Sequence, residues 1–127
     1  MKKLLLVLLS LLSFKSFAQN DFYQMLDKLL KGIDAPIIKV SELENQKEVI
    51  YLDARKKVEF ETSHLPNAIH VGEEGELSPE LDKSKTVIVY CSVGYRSGKV
   101  AESLKAKGYK VYNLYGGIFE WVHADRD

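Results

Sequence analysis

Short apolar segments alternate with longer mixed segments along most of the chain, and this alternation predicts its elements. Five short segments are apolar and rich in β-branched residues, as buried strands are: residues 36–40, 49–52, 68–71, 87–90 and 110–114. After the fourth segment, the apolar residues at 98–107 have the spacing of a helix, and Gly108 is a C-cap signal that ends this helix. Because the predicted strands are apolar on both faces, we expect an α/β fold in which a small parallel sheet of about five strands is flanked by helices on both faces.

The first residues have a different pattern. Lys2 and Lys3 precede an apolar run at residues 4–12, and Ser16 and Ala18 are the small residues that signal peptidases require before a cut, here before Gln19. We therefore predict that residues 1–18 are a secretory signal peptide and that the mature protein is periplasmic or secreted. The alternative is a membrane-spanning helix, which needs roughly 20 apolar residues.

Residues 19–36 are predicted to form a helix and a linker, and residues 37–127 the main domain. The helix has a continuous apolar face, made of Phe22, Met25, Leu26, Leu29 and Leu30, and Gly32 ends it. This face either packs on the domain as an added helix or binds a partner protein.

Charge and cysteine content narrow the function. The chain has 18 basic and 18 acidic residues, and loss of the lysines in residues 1–18 makes the balance slightly acidic, so we expect no nucleic-acid surface. Cys91 is the single cysteine, so no intramolecular disulfide can form. His70 and His123 have no metal-ligand spacing with His64 or with Cys91, so we expect no metal site. We also expect no cofactor.

Cys91 lies where the strand at 87–90 turns towards the helix at 98–107. Such a turn directs several unpaired backbone N–H groups into one concavity, which favours a negative charge. With Arg96 also nearby, we expect the thiolate of Cys91 to be favoured. The alternative is a small buried hydrophobic residue, a common place for free cysteine.

A second polar group follows another predicted strand. Asp53 and Arg55 come directly after residues 49–52. In parallel sheets the functional site lies beyond the carboxyl ends of the strands, so we expect Asp53 and Arg55 near the Cys91 loop.

Several short motifs together resemble the single-domain rhodanese family over residues 38–122. They are Asp53-Ala54-Arg55, Glu59-Phe60, residues 64–69, residues 91–97, and Gly116-Gly117 through Trp121. Ser63 and Asn67 stand where that family more often has glycine, and Leu65 where it has isoleucine. The resemblance implies a sulfurtransferase that moves a sulfane sulfur from a donor such as thiosulfate to cyanide or a thiol.

The resemblance also implies the roles of the site residues. Cys91 would be the nucleophile and carry the sulfur as a persulfide. The anion would be held by backbone N–H groups of the loop that follows, which consists of Ser92, Val93, Gly94, Tyr95, Arg96 and Ser97. Asp53 and Arg55 would support the site, either as a structural ion pair or in catalysis itself. His64 would belong to the loop scaffold.

Two other functions stay open. The domain is alternatively a sulfur carrier or binding module that receives sulfur from a partner protein. Four residues separate Cys91 from Arg96, whereas the related cysteine phosphatases generally have five, so a phosphatase or arsenate reductase is a weaker alternative. The expected partners are a small anionic sulfur donor and a thiol acceptor, with no membrane insertion after signal cleavage.

Overall fold

The structure is a computed structural model that describes residues 18–76 and 80–124. The described chain divides between Lys31 and Gly32 into two compact units. In the first unit, residues 18–30 are helical, as predicted, and Gly32 follows with a φ of 99°. The predicted signal peptide lies outside the described residues, apart from Ala18. Within the described ranges, no helix is long and apolar enough to cross a membrane.

The second unit alternates strands with helices. Its strands are β1 (Ile37–Ile38), β2 (Val49–Asp53), β3 (Ile69–His70), β4 (Thr86–Tyr90) and β5 (Lys110–Leu114). Its helices are a 3-10 helix (Val40–Asn45), α1 (Lys57–Thr62), α2 (Tyr95–Ala106) and α3 (Gly117–His123).

The five strands form one parallel sheet in the order β1-β5-β4-β2-β3. The central strand β4, which pairs with β2 on one side and β5 on the other, is buried along its whole length. Parallel pairing and double-sided coverage confirm the predicted α/β fold.

The two faces of β4 contribute to two separate hydrophobic clusters. Side chains alternate across a strand, so Val87 and Val89 face α2 and pack with Leu104 in one cluster. Ile88 and Tyr90 pack in the other, with Trp121 of α3. These two clusters cover both faces of β4 with helices. The carboxyl end of β4, which Cys91 follows, therefore lies between helices on both sides.

The strand order places the site. From β2 the chain continues outwards to β3, and from β4 it continues to β5 on the opposite side. The loops after β2 and β4 therefore diverge, which opens a crevice at the carboxyl ends of these neighbouring strands. Asp53 pairs with Tyr90 in the register of β2 and β4, so the two predicted polar groups begin side by side.

Helix α2 begins earlier than the sequence predicted. It starts at Tyr95 instead of residue 98, so the loop predicted at residues 92–97 ends at Gly94. Gly94 has a φ of 135°, which a β-carbon disfavours, and this sharp bend lets the helix begin at once. Tyr95, Arg96 and Ser97 thus lie in the first turn of α2.

Candidate active site

The Cys91 sulfur is buried and receives hydrogen bonds from its own loop and from the first turn of α2. The residue is 1% exposed, and its thiol does not form a disulfide bond. The backbone N–H of Gly94 donates to Sγ over 3.1 Å, and the Ser97 hydroxyl lies 3.3 Å from it. Donors directed at a sulfur atom stabilise negative charge on it, so the turn is built to hold an anion.

Asn113 of β5 supports this loop from below. Its Oδ1 accepts a hydrogen bond from the Ser97 hydroxyl over 2.6 Å, and its Nδ2 donates to the carbonyl of Gly94 over 2.8 Å. Asn113 is 1% exposed, so both bonds are buried. The sequence analysis missed Asn113, although a lone amide in an apolar strand was a usable signal, since buried polar groups need partners.

Arg96 ties the loop to helix α1. Its Nη1 donates to Oε1 of Glu59 over 2.8 Å, and its Nη2 donates to Oγ of Ser92 over 2.7 Å. Glu73 lies 3.7 Å from Nη1. The hydrogen bond with Glu59 is the main reason that the pKa of Arg96 is raised, and the same bond lowers the pKa of Glu59. Part of the positive charge of Arg96 is therefore balanced by Glu59, whose role the sequence analysis missed.

Asp53 and Arg55 form a buried ion pair beneath the crevice. Nη2 of Arg55 lies 2.7 Å from Oδ2 of Asp53, and these residues are 6% and 0% exposed. Nη2 also donates to the carbonyl of Ser63 over 2.6 Å. The pKa of Arg55 is raised, mainly by the hydrogen bond with Asp53. The pair therefore joins the loop after β2 to the segment that follows α1.

Tyr90 connects this ion pair to the central strand. Its hydroxyl donates to Oδ2 of Asp53 over 2.6 Å and accepts from the N–H of Leu65 over 3.1 Å. Burial is the main cause of the raised pKa of Tyr90, so the phenol stays protonated. Tyr90 directly precedes Cys91, which places the cysteine next to this buried polar network.

Helix α3 is hydrogen-bonded to the backbone of Cys91 and Ser92. The N–H of Ile118 donates to the carbonyl of Cys91 over 2.9 Å, and that of Phe119 donates to the carbonyl of Ser92 over 3.2 Å. A β-carbon on Gly117 would collide with both carbonyl oxygens, and its φ is 56°. The Gly116-Gly117 turn therefore permits a contact that other residues would block.

His64 and His70 contact backbone carbonyls of the segments around them. Nδ1 of His64 lies 2.9 Å from the carbonyl of Phe60, and Nε2 of His70 lies 2.7 Å from the carbonyl of Arg55. Among the described residues, no group of three or more His, Cys, Asp or Glu side chains is arranged to hold a metal ion. Asn67 adopts the left-handed conformation with a φ of 60°, which asparagine tolerates, and Ser63 is extended with a φ of −164°.

Comparison with known proteins agrees with this geometry. The family model of the rhodanese-like domain matches residues 38–124. The chain belongs to this family. It is similar to thiosulfate sulfurtransferase GlpE of Coxiella burnetii, with 37% identity over 83 residues that cover 63% of this chain and 78% of the relative. The predicted family membership is thereby confirmed.

Other relatives share the domain within longer proteins or share its structure. A tRNA uridine(34) hydroxylase of Buchnera aphidicola is 31% identical over 101 residues, which cover 72% of this chain but 32% of that protein. The rhodanese-related protein of Thermoplasma volcanium has a TM-score of 0.64 and 27% identity, covering 72% of this chain and 95% of that one. A rhodanese-like domain protein of Staphylococcus aureus has a TM-score of 0.60 and 30% identity, covering 68% and 90%. The rhodanese domain thus occurs in proteins with different activities.

Proposed function

We propose that this rhodanese domain is a sulfurtransferase that carries sulfane sulfur on Cys91 between a donor such as thiosulfate and a thiophilic acceptor. The proposal depends on one observation above all: the Cys91 sulfur lies at the base of its loop and accepts a hydrogen bond from the Gly94 N–H over 3.1 Å. The similarity to GlpE of Coxiella burnetii supports it.

The first step would load the cysteine. The Cys91 thiolate attacks the outer sulfur of thiosulfate, a new S–S bond forms, and sulfite leaves with the electron pair of the broken bond. The product is a Cys91 persulfide whose terminal sulfur is negative. Donors of the loop stabilise that charge without a separate general base.

The second step would release the sulfur. Cyanide, or a thiolate, attacks the terminal sulfur and forms thiocyanate or a new persulfide, and the electron pair returns to Sγ of Cys91. The same N–H and hydroxyl donors hold the charge before and after the transfer, so no cofactor is needed in either step.

A direct test is persulfide formation. The protein is incubated with thiosulfate and analysed by intact mass, then treated with cyanide while thiocyanate is assayed. We expect the mass of one added sulfur atom on wild type, its loss with cyanide, and neither result with Cys91→Ser. If wild type and Cys91→Ser behave alike with several donors, the proposal is wrong.

A sulfur-carrier module is the second candidate. Met25 and Leu29 of the first unit are 52% and 40% exposed, an apolar surface that suits a protein partner. Such a module would accept sulfur from the partner's persulfide but show little turnover with thiosulfate and cyanide. Removal of residues 21–31 should then abolish transfer from the partner while the domain stays folded and reacts with small donors.

We also propose that residues 1–18 are a cleaved secretory signal peptide. The lysines before an apolar run and the small residues before Gln19 support it. Sequencing of the mature N-terminus after cell fractionation tests it: a start at Gln19 outside the cytoplasm is expected, and an intact Met1 in the cytoplasm would contradict it.

A further inference from the structure

A short segment ahead of β1 lies against helix α2. Ile33 and Ala35 of this segment are partly buried, whereas Asp34 and Pro36 are exposed. Such alternation is typical of an extended chain that packs one side on its neighbours. The rhodanese-like family model starts at residue 38, so this segment precedes the part of the chain that the model matches.

Three contacts hold the segment in place. Nζ of Lys105 on α2 donates to Oδ1 of Asp34 over 2.8 Å. Ala35 packs against the hydrophobic cluster that α2 shares with β4. The carbonyl of Pro36 accepts a hydrogen bond from the backbone N–H of Asn113 over 2.8 Å. The ion pair is exposed and contributes little, so the apolar packing and the bond to β5 mainly fix the position of the segment.

Gly98 of α2 leaves the space that the side chain of Ile33 occupies. A β-carbon on Gly98 would lie 2.6 Å from Cδ1 and 3.1 Å from Cγ2 of Ile33. The same β-carbon would lie 3.0 Å from Nδ2 of Asn113. Ile33 therefore packs on the bare backbone of the helix, beside the side-chain amide of Asn113. A glycine within a helix costs roughly 0.5–1 kcal/mol relative to alanine, and this close approach is a physical reason for it here.

The amide of Asn113 orders the donors at the Cys91 sulfur. Its Nδ2 donates to the carbonyl of Gly94 over 2.8 Å, and its Oδ1 accepts from the hydroxyl of Ser97 over 2.6 Å. The N–H of the same glycine and the hydroxyl of the same serine lie 3.1 Å and 3.3 Å from Sγ. Water at this amide would compete for both of its bonds to the loop.

We propose that Ile33 is a positioning residue for the reaction: it keeps water from the Asn113 amide and thereby keeps the two donors directed at the Cys91 sulfur. The proposal rests on the proposed sulfurtransferase function. It adds to the site a residue that precedes the family domain. Ile33 acts through Asn113 and not by contact with the sulfur donor.

Persulfide loading of Ile33 variants tests the proposal. Ile33→Ala should lower the maximal loading rate with thiosulfate about tenfold, because the donors are no longer held in place. The thiosulfate concentration at half-maximal rate should stay nearly unchanged, since Ile33 acts on the loop and not on the donor. Ile33→Leu keeps the number of carbon atoms and should retain most of the rate.

Ile69→Ala is the matched control. It makes the same change at an exposed isoleucine in β3, which lies at the opposite edge of the sheet from β1. This variant should load sulfur at the wild-type rate. Equal slowing by Ile33→Ala and Ile69→Ala, or a wild-type rate in Ile33→Ala, would overturn the proposal.

A double-substitution cycle shows whether Ile33 acts through Asn113. Asn113→Ala removes both side-chain bonds to the loop and should itself slow loading. In that background Ile33→Ala should cause little further slowing, because the amide that it protects is absent. If Ile33→Ala slows loading by the same factor with and without Asn113, the route through Asn113 is wrong.

A second measurement depends neither on catalysis nor on an Asn113 variant. NMR follows the exchange of the Asn113 side-chain amide protons with water. We expect slow exchange in wild type and in Ile69→Ala, and exchange faster by about tenfold or more in Ile33→Ala. Equal exchange in wild type and Ile33→Ala contradicts the proposal. Faster exchange in Ile33→Ala, with no donor able to load wild-type Cys91, would instead refute the sulfurtransferase function alone.

Discussion

The Ser97 hydroxyl lies within hydrogen-bond distance of two acceptors, Sγ of Cys91 and Oδ1 of Asn113. The Ser97 oxygen lies 3.3 Å from Sγ of Cys91 and 2.6 Å from Oδ1 of Asn113. A serine hydroxyl carries one proton, so it donates to only one of them at a time. Negative charge on the sulfur draws that proton away from Asn113, and the hydroxyl then joins Gly94 in stabilising the anion.

We predict that Ser97→Ala slows sulfur loading of Cys91 by about tenfold or more, because one donor to the charged sulfur is lost. The variant should also lose about 1–3 kcal/mol of unfolding free energy, since Oδ1 of Asn113 stays buried without its partner. Rapid-quench mass analysis of the persulfide measures the rate, and urea unfolding measures the stability.

Ser103→Ala is the matched control, because Ser103 lies on the same helix and is exposed. It should change neither quantity. A folded Ser97→Ala protein that loads sulfur at the wild-type rate would show that this hydroxyl does not stabilise the sulfur anion.

Between elements, the contact of α1 with the catalytic loop depends on one charge pair. Glu59 of α1 accepts from Arg96, whose Nη2 in turn donates to Ser92. The pKa of Glu59 is lowered in the folded protein, mainly by Arg96. The pair therefore stabilises the fold at pH values above the pKa of Glu59 in the unfolded chain, and this contribution is lost as pH falls through the folded pKa.

We predict that Glu59→Gln lowers the unfolding free energy by roughly 1 kcal/mol at pH 7 and by less at pH 2, because the contribution of the charge pair is lost as pH falls through the folded pKa of Glu59. Urea unfolding at both pH values tests this. Glu61→Gln on the same helix is the control, since its ion pair with Lys57 is long and solvent-exposed. An equal loss in Glu59→Gln at both pH values would exclude the charge pair as the cause.

The junction of α3 with the loop gives another prediction. Gly117→Ala should slow persulfide formation, because the new β-carbon would displace the carbonyls of Cys91 and Ser92. Gly108→Ala has a comparable backbone strain, with a φ of 91°, but its nearest neighbour is a lysine tip at 3.9 Å. Both variants should lose roughly 1 kcal/mol of stability from the positive φ, and Gly117→Ala more.

Stopped-flow sulfur loading and urea unfolding separate these two effects. Gly108→Ala should load sulfur at the wild-type rate once it is folded. If both glycine variants load sulfur equally fast, the close approach of α3 to the loop does not position the nucleophile.

On the scale of the whole molecule, stability depends on the central strand more than on the sheet edges. Ile88 of β4 is fully buried, whereas Ile69 of the edge strand β3 is 44% exposed. We predict that Ile88→Ala costs about 2–5 kcal/mol and Ile69→Ala less than about 1 kcal/mol, because the former leaves a cavity in the core. Denaturant unfolding compares them, and similar losses would contradict this account.

The local parts of the fold were accessible from the sequence. Apolar runs with polar flanks predicted all five strands of the sheet, and the run before Cys91 predicted that this cysteine lies at a strand-to-helix turn. These features depend on spacing within one segment, so one sequence is sufficient.

The predicted start of α2, at residue 98, was wrong by three residues. The positive φ of Gly94 allows the helix to start earlier, and this φ is a property of the folded loop.

By itself, the sequence determined the parallel sheet, the family and the position of Cys91. The strands and the turn at Cys91 depend on residues close together in the chain, and the family depends on short motifs in a fixed order. Only the tertiary structure decided the partners of these residues. Glu59 and Arg96 are 37 positions apart, as are Asp53 and Tyr90, and Ser97 and Asn113 are 16 apart. Such pairs meet because strand order and helix packing bring distant segments to one edge of the sheet, and no local spacing encodes that order.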